Sequence, residues 1–297
     1  MSAISPDPNY SLTPSGNLRR RTMISRTAVT GTIVAAGLAV VVLGILVYYA
    51  AYQGASQLSL SFLTSDLPAI GLASGGGIGP ALVGTAEVVL IATLIALPVG
   101  ILTAIYLSEF ANPRIGRVMT TALELMAGLP TIIAGIFIAG LIVESSGQSA
   151  WAAGLAVAIV EVPLIARASI ESLRRVPPTM REAADALGVA RWRTVLGVIL
   201  PTASNGIVTA TILAVARGAG ETAPVLLTIP TFGQNYQLNP DHSVPTVPLE
   251  IWNLLNSGQS SALSQAWGAA FLLMILILAV NIGARVWLRR GERKRGL

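Results

Sequence analysis

PALVGTAEVVLIATLIALPVGILTAIYL, residues 80–107, carries one charged side chain, Glu87. It is longer than the roughly 20 apolar residues that a helix needs to cross about 30 Å of hydrocarbon. Such a stretch reads as a membrane-spanning helix. On either side of it, comparable apolar runs occur near 27–50, 118–143, 150–170, 201–228 and 266–288. Six crossings predict an all-α integral membrane protein with both ends on one side. Composition agrees, because 53% of the 297 residues are hydrophobic and 11% charged, more apolar surface than a soluble core can hide. No polar block is large enough to fold separately, so the chain reads as one membrane domain over 27–290. A basic leader, 1–26, and a basic tail, 291–297, flank it. Residues 1–17, rich in Pro, Ser and Asn, bury too little surface to order themselves and predict a disordered leader. The first run of about 24 residues exceeds the 7–15 of a signal-peptide core and reads as a retained anchor.

Charge sets the orientation. Arg19, Arg20, Arg21 and Arg26 precede the first run, and Arg114 and Arg117 separate the second from the third. Arg174 to Arg193 fill the fourth connection, and Arg285 to Arg295 close the chain. The other connections, 51–79, 144–150 and 229–265, hold Asp66, Glu144, Asp241 and Glu250 but no Lys or Arg. By the positive-inside rule both termini and the fourth connection are cytoplasmic. The sequence pI of about 10.1 is thus a topological signal rather than a nucleic-acid one, since no aromatic-interleaved basic patch exists. The absence of cysteine excludes disulfides and thiolate metal sites.

The fourth connection, within 174–201, has its own logic. Pro177-Pro178 stops any helix leaving the membrane. Thr179 and Glu182 have capping-box spacing and predict that a new helix starts there. Ala183, Ala184, Ala186 and Leu187 favour helix, and Gly188 stands where a left-handed terminating residue is needed. About two turns of helix are marginal alone in water and require a surface to pack on. One such surface is the lipid interface, with Arg174, Arg175, Arg181, Arg191 and Arg193 meeting anionic headgroups. The other is a partner protein.

Inside the spans, Arg217 lies sixteen residues beyond Pro201, roughly 20 Å along a helix rising 1.5 Å per residue, and is expected deep in the bilayer. A charge at that depth costs several kcal/mol unless it is paired or faces water. Glu221, at i+4, is the expected partner on one helix face, with Gly218 and Gly220 leaving room for another helix or a ligand. Two readings stand: a buried ion pair that fixes packing, or a translocation-path site where Arg217 attracts an anion and Glu221 holds the cation when the path is empty. Arg167 and Glu161, near Pro163, extend such a path, or Arg167 snorkels to the interface. Glu87 and Glu124 receive no role. His242 beside Asp241 reads as a solvated loop residue.

The spacing Glu182-Ala183-Ala184, three residues, Gly188, nine residues, Val198, one residue, Leu200-Pro201 resembles the EAA loop of ABC importer permeases. Val198 replaces the family's usual Ile. More specifically, ARGAGETAPVLL, GGGIGPALVGT and LMAGLPTIIAGIF resemble segments of the PstA family, one of the two permease subunits of bacterial phosphate ABC importers. The resemblance implies a type I (MetI-like) permease fold in the bacterial inner membrane. It implies that Glu182, Ala183, Ala184 and Gly188 dock on a separate ATPase, and that Arg217, Glu221 and Arg167 line a phosphate path. It also implies a PstC-like permease, two PstB-like ATPases that hold ATP and Mg, and a PstS-like extracellular phosphate-binding protein. The chain itself has no GxxxxGK[ST] string and so no nucleotide site. The outer connection 229–265, with Leu249, Ile251, Trp252 and Leu254, reads as a docking surface for that binding protein or as a structural cap. Alternatives are a permease for sulfate or molybdate, and an ion-coupled secondary transporter using Glu161, Arg217 and Glu221 as a relay. The EAA string speaks against the second. A membrane enzyme would need a cluster of His, Cys or Asp in the spans, and none is present.

Overall fold

The computed structural model describes residues 17–68, 76–229 and 235–295, whose regular secondary structure is all helical with no strand among them. Two compact units divide the chain, Met1–Ala51 and Tyr52–Leu297. The described residues of the first all lie in helix α1, Asn17–Gly54. This helix starts ten residues before the expected span and takes in Arg19 to Arg26. Arg is a good helix former, and no Pro or Gly interrupts the run before Gly31. The rest of the expected disordered leader, 1–16, lies outside the described residues.

The second unit opens with the short α2, Leu60–Thr64, capped by Ser59, whose hydroxyl accepts from the Phe62 N–H. Helix α3, Gly79–Ile105, has Pro80 in its first turn and continues as a π-helical turn, Tyr106–Phe110. Helix α4, Pro113–Gly128, is capped by Asn112, and α5, Thr131–Ile138, runs through a π turn, Ala139–Val143, into α6, Glu144–Ser146. Helix α7 is Ala150–Arg174, α8 is Pro178–Ala186, and α9 is Arg191–Thr194. A third π turn, Val195–Ile199, joins α9 to α10, Leu200–Gly218. After the four-residue α11, Ala223–Leu226, come α12, Val247–Asn256, and α13, Ser260–Arg295.

Five of these helical stretches are long and apolar enough to span a membrane, and a sixth is counted when the bent pair Pro113–Gly128 and Thr131–Ser146 is taken as one. The expected single third span over 118–143 is therefore broken, with a bend of 96°. Leu129 precedes Pro130, is pushed to extended geometry (φ −69°, ψ 138°), and ends α4 there.

Small residues set how closely the spans approach. A Cβ on Gly154 of α7 would run into Ile91 of α3, 2.7 Å from its Cβ, and one on Gly100 of α3 would lie 2.8 Å from Ile165 of α7. Residues 91 and 100 thus face 154 and 165 in the same order, so α3 and α7 run parallel. The segment between them returns the chain once across the bundle despite its bend. On α10, Gly206 faces Ser172 and Gly218 faces Glu161, the reverse order, so α10 runs antiparallel to α7. Close packing through Gly substitutes for a hydrophobic drive that lipid does not supply. Gly154→Ala is expected to overpack this contact by about 1–3 kcal/mol. A lower thermal unfolding midpoint in detergent, with uptake per folded molecule retained, checks it.

In the connection 229–265, the described part from 235 on packs against the bundle through α12. Helix α12 buries Val247, Leu249 and Leu254, the Val247 N–H donates to Thr85 Oγ1 of α3 at 2.8 Å, and Trp252 stays exposed. Burial pushes the Glu250 carboxyl above the usual carboxylate range, partly offset by a hydrogen bond from Asn253. His242 and Asp241 are exposed, and Pro230 lies outside the described residues.

Candidate functional site

Two interrupted helices meet in the second unit. The fifth span begins at Arg191, ten residues before the expected start at 201, and ends at Gly218 rather than 228. The chain then turns through Ala219 and Gly220, and Pro224 sits in the first turn of α11. At the other break, Leu129-Pro130, helix α5 begins, and a Cβ on its Gly135 would stand 2.7 Å from Pro224 Cα. The two breaks are therefore brought together.

Arg217 occupies the last turn of α10, where a cation complements the helix dipole. Its Nε lies 3.5 Å from Glu221 Oε1; the Arg217 side chain is 59% exposed and that of Glu221 12%. The expected pair exists, but it closes across a helix end rather than along a helix face, because the backbone turns at Ala219. Beside it lies a cavity of about 420 Å³. Met126, Leu129, Pro130 and Phe137 wall it from the α4–α5 break, and Ile159 and Leu164 from α7. Arg217 is the one charged residue among those lining it. Discontinuous helices that leave a charge over an apolar cavity are a recurring way to build a transport site.

Glu161 of α7 is 1% exposed, and a Cβ on Gly218 would collide with its Oε1. A glycine at 218 is what lets this carboxylate lie against α10. The Thr93 hydroxyl of α3 faces it without a hydrogen bond of good geometry, and neither carboxylate oxygen has a well-formed partner among the described residues. Arg167 is exposed on α7 and belongs to neither the ion pair nor the cavity wall. Glu124 is exposed on α4, and Glu87 is half-buried in α3.

At the far end of α7, the expected capping box at Thr179 and Glu182 is absent. Pro177 is the N-cap and no side chain caps the helix. Pro178 has no N–H to satisfy and a φ already set for helix, so it takes the first position and leaves Thr179 two places inside the cap. The C-terminus is as read. Gly188 has φ +67°, its N–H donates to Asp185 O at 3.0 Å, and the Val189 N–H donates to Ala184 O at 3.1 Å. These are the two bonds of a Schellman motif. Ala184 is buried, while Glu182, Ala183 and Gly188 are exposed together with Met180, Leu187 and Trp192. Three large apolar side chains on and just after α8 thus stand exposed.

The arginines of this connection do not act as one set. Arg193 lies over the Trp192 ring at 5.1 Å, and Arg174 is 3.9 Å from Glu171, both exposed. Arg181 and Arg191 instead turn toward Glu109, a residue with no part in the sequence reading. Its only local signal was an acid in the last turn of an apolar span.

A family model described as "Binding-protein-dependent transport system inner membrane component" matches residues 96–295. The chain is 37% identical over 227 residues to "Phosphate transport system permease protein PstA 1" of Mycobacterium tuberculosis, covering 75% of this chain and 73% of that protein. It is 38% identical over 231 residues to "Probable phosphate transport system permease protein PstA" of Methanocaldococcus jannaschii, covering 77% and 80%. Among solved structures, the fold is similar to a chain of a bacterial alginate ABC transporter in complex with an alginate pentasaccharide-bound periplasmic protein. The TM-score there is 0.61 at 15% identity, with 91% of this chain and 96% of that one covered. It is also similar to a chain of the inward-facing MetNI methionine ABC transporter, with TM-score 0.58 at 20% identity and 72% and 94% covered. With two thirds of its length inside the family model, the chain belongs to the family of binding-protein-dependent transport system inner membrane components, the non-catalytic permease subunits of importers that work with an ATPase and a binding protein.

Proposed function

We propose that this chain is one of the two permease subunits of an ABC importer for inorganic phosphate, with both termini and the α8 end in the cytoplasm. The observation that carries the substrate class is Arg217, the one charge on an otherwise apolar cavity at the meeting of two broken helices. A single exchangeable cation suits an oxyanion in transit, and similarity to phosphate permeases narrows the oxyanion to phosphate. Glu221 fills the site when it is empty. Helix α8, with Glu182, Ala183, Ala184 and Gly188, docks on a PstB-like ATPase that holds ATP and Mg. A PstC-like permease completes the path, and a PstS-like protein delivers phosphate from outside. Arg167 has the weakest support of the path residues, since it lines no cavity. The domain limits remain those of the sequence, one permease domain over 27–290 between a basic leader and a basic tail.

The test reconstitutes the chain with these partners and measures ATP hydrolysis stimulated by binding protein loaded with phosphate or with sulfate. Phosphate is expected to stimulate and sulfate to leave the basal rate. Equal stimulation by both removes the phosphate assignment and leaves a general oxyanion permease.

A further inference from the structure

We propose that Glu109 is a positioning residue that clamps the docking helix α8 to the ends of α3 and α7, so that α8 and these two spans move as one body. The inference rests on the reading of α8 as the ATPase-docking helix.

Only Ala184 of the nine residues of α8 is buried, so apolar packing contributes little to holding this helix on the bundle. What holds it is ionic. Arg181 Nη2 donates to Glu109 Oε1 at 2.8 Å, and Arg181 Nε approaches both carboxylate oxygens at 3.3 and 3.4 Å. The same guanidinium donates through Nη2 to Leu173 O in the last turn of α7 at 3.0 Å and through Nη1 to Val176 O just beyond it at 2.8 Å. Arg191 Nη2, from α9, reaches Glu109 Oε2 at 3.4 Å. One planar fork thus joins α8 to α3 and α7, a geometry that lysine cannot reproduce.

Burial makes the joint stiff. The Glu109 side chain is 1% exposed, that of Arg181 23% and that of Arg191 53%. A buried carboxylate cannot trade its partners for water without a large desolvation cost, so pulling α8 away is opposed far more strongly than separating a surface pair would be. Glu109 reaches this position from the π turn Tyr106–Phe110 that ends α3. Such widened turns re-aim the residues that follow and recur at functional positions. Another π turn, Val195–Ile199, follows α9 and leads into α10. The two arginines therefore stand where a load on α8 divides between α3 and α7 on one side and α10 on the other.

The experiment uses the assembled importer in liposomes and measures phosphate taken up per ATP hydrolysed, with co-purification of the ATPase as a parallel reading. Glu109→Gln keeps shape and removes the charge. It is expected to lower the uptake-to-ATP ratio about tenfold while the ATPase still co-purifies, and Glu109→Asp, which keeps the charge, is expected to restore part of it. An unchanged ratio in Glu109→Gln overturns the clamp and leaves docking standing. Failure of the ATPase to co-purify with the unsubstituted chain overturns docking and the clamp with it. A second measurement does not need the Gln variant to fold. The chain has no cysteine, so Phe110→Cys and Asp185→Cys give one labelled pair across the joint. A separation constant between the nucleotide-free and ATP-trapped states supports a rigid joint. A change above about 5 Å, one helical turn, overturns it.

Discussion

Gly188→Val is expected to cut phosphate uptake at least about tenfold while the chain still inserts in the membrane. The cause lies in the backbone, because no atom comes within 4 Å of where a Cβ would stand. At φ +67° a β-branched residue is an outlier, costing on the order of 1–3 kcal/mol. A nine-residue helix has few hydrogen bonds with which to offset that, and the strained bonds are the two that close its end, from Gly188 and Val189. The exposed patch of Met180, Leu187 and Trp192 loses its fixed presentation. Gly188→Asn is the control, since asparagine visits the left-handed region at lower cost, and it is expected to keep a substantial share of uptake. Uptake in membrane vesicles at matched expression, with co-purification of the ATPase, decides. Full uptake in the valine variant would count heavily against docking through α8.

Arg217→Gln is expected to abolish uptake, a loss of about a hundredfold or more, because no other charge lines the cavity. Glu221→Gln is expected to behave differently. With no carboxylate to occupy the cation in the empty state, an anion is held longer, so the half-saturating concentration and the maximal rate both fall. Magnitudes separate this reading from a packing role. Arg217 is 59% exposed, so Glu221→Gln leaves no buried charge unpaired and costs about 0–1 kcal/mol, too little for its loss to be an unfolding effect. Initial uptake rates across phosphate concentrations, with thermal unfolding of each variant, check the contrast. Equal losses in both variants, tracking a lowered unfolding midpoint and with unchanged half-saturation, would make the pair a structural tie.

How much of this was legible beforehand follows from how local each feature is. The spans were legible because a run of apolar residues depends on nothing but itself, and α3 and α7 lie where such runs stood. Gly188 was legible because a positive φ is a demand on one residue, and Arg217 with Glu221 because four residues separate them. The start of α8 was misread by two positions because two local signals competed, and Pro178 overrode the side-chain cap. The 96° bend at Leu129-Pro130 was visible as a Gly-Leu-Pro string, but an apolar run on both sides of it read as one span.

By itself, then, the sequence determined a helical membrane protein with a short terminated helix in one connection and a charged pair near the end of the fifth span. Only the tertiary structure decided what those parts meet. Glu109 pairs with residues 72 and 82 positions away, and Glu161 lies against Gly218 from another helix. The breaks at Pro130 and Gly218 face each other across Gly135 and Pro224. Hydrophobicity and charge fix which segments enter the bilayer. The register of one helix on the next is set by where glycines let backbones close and where buried charges must find partners, and both are properties of pairs of segments that neither segment carries alone.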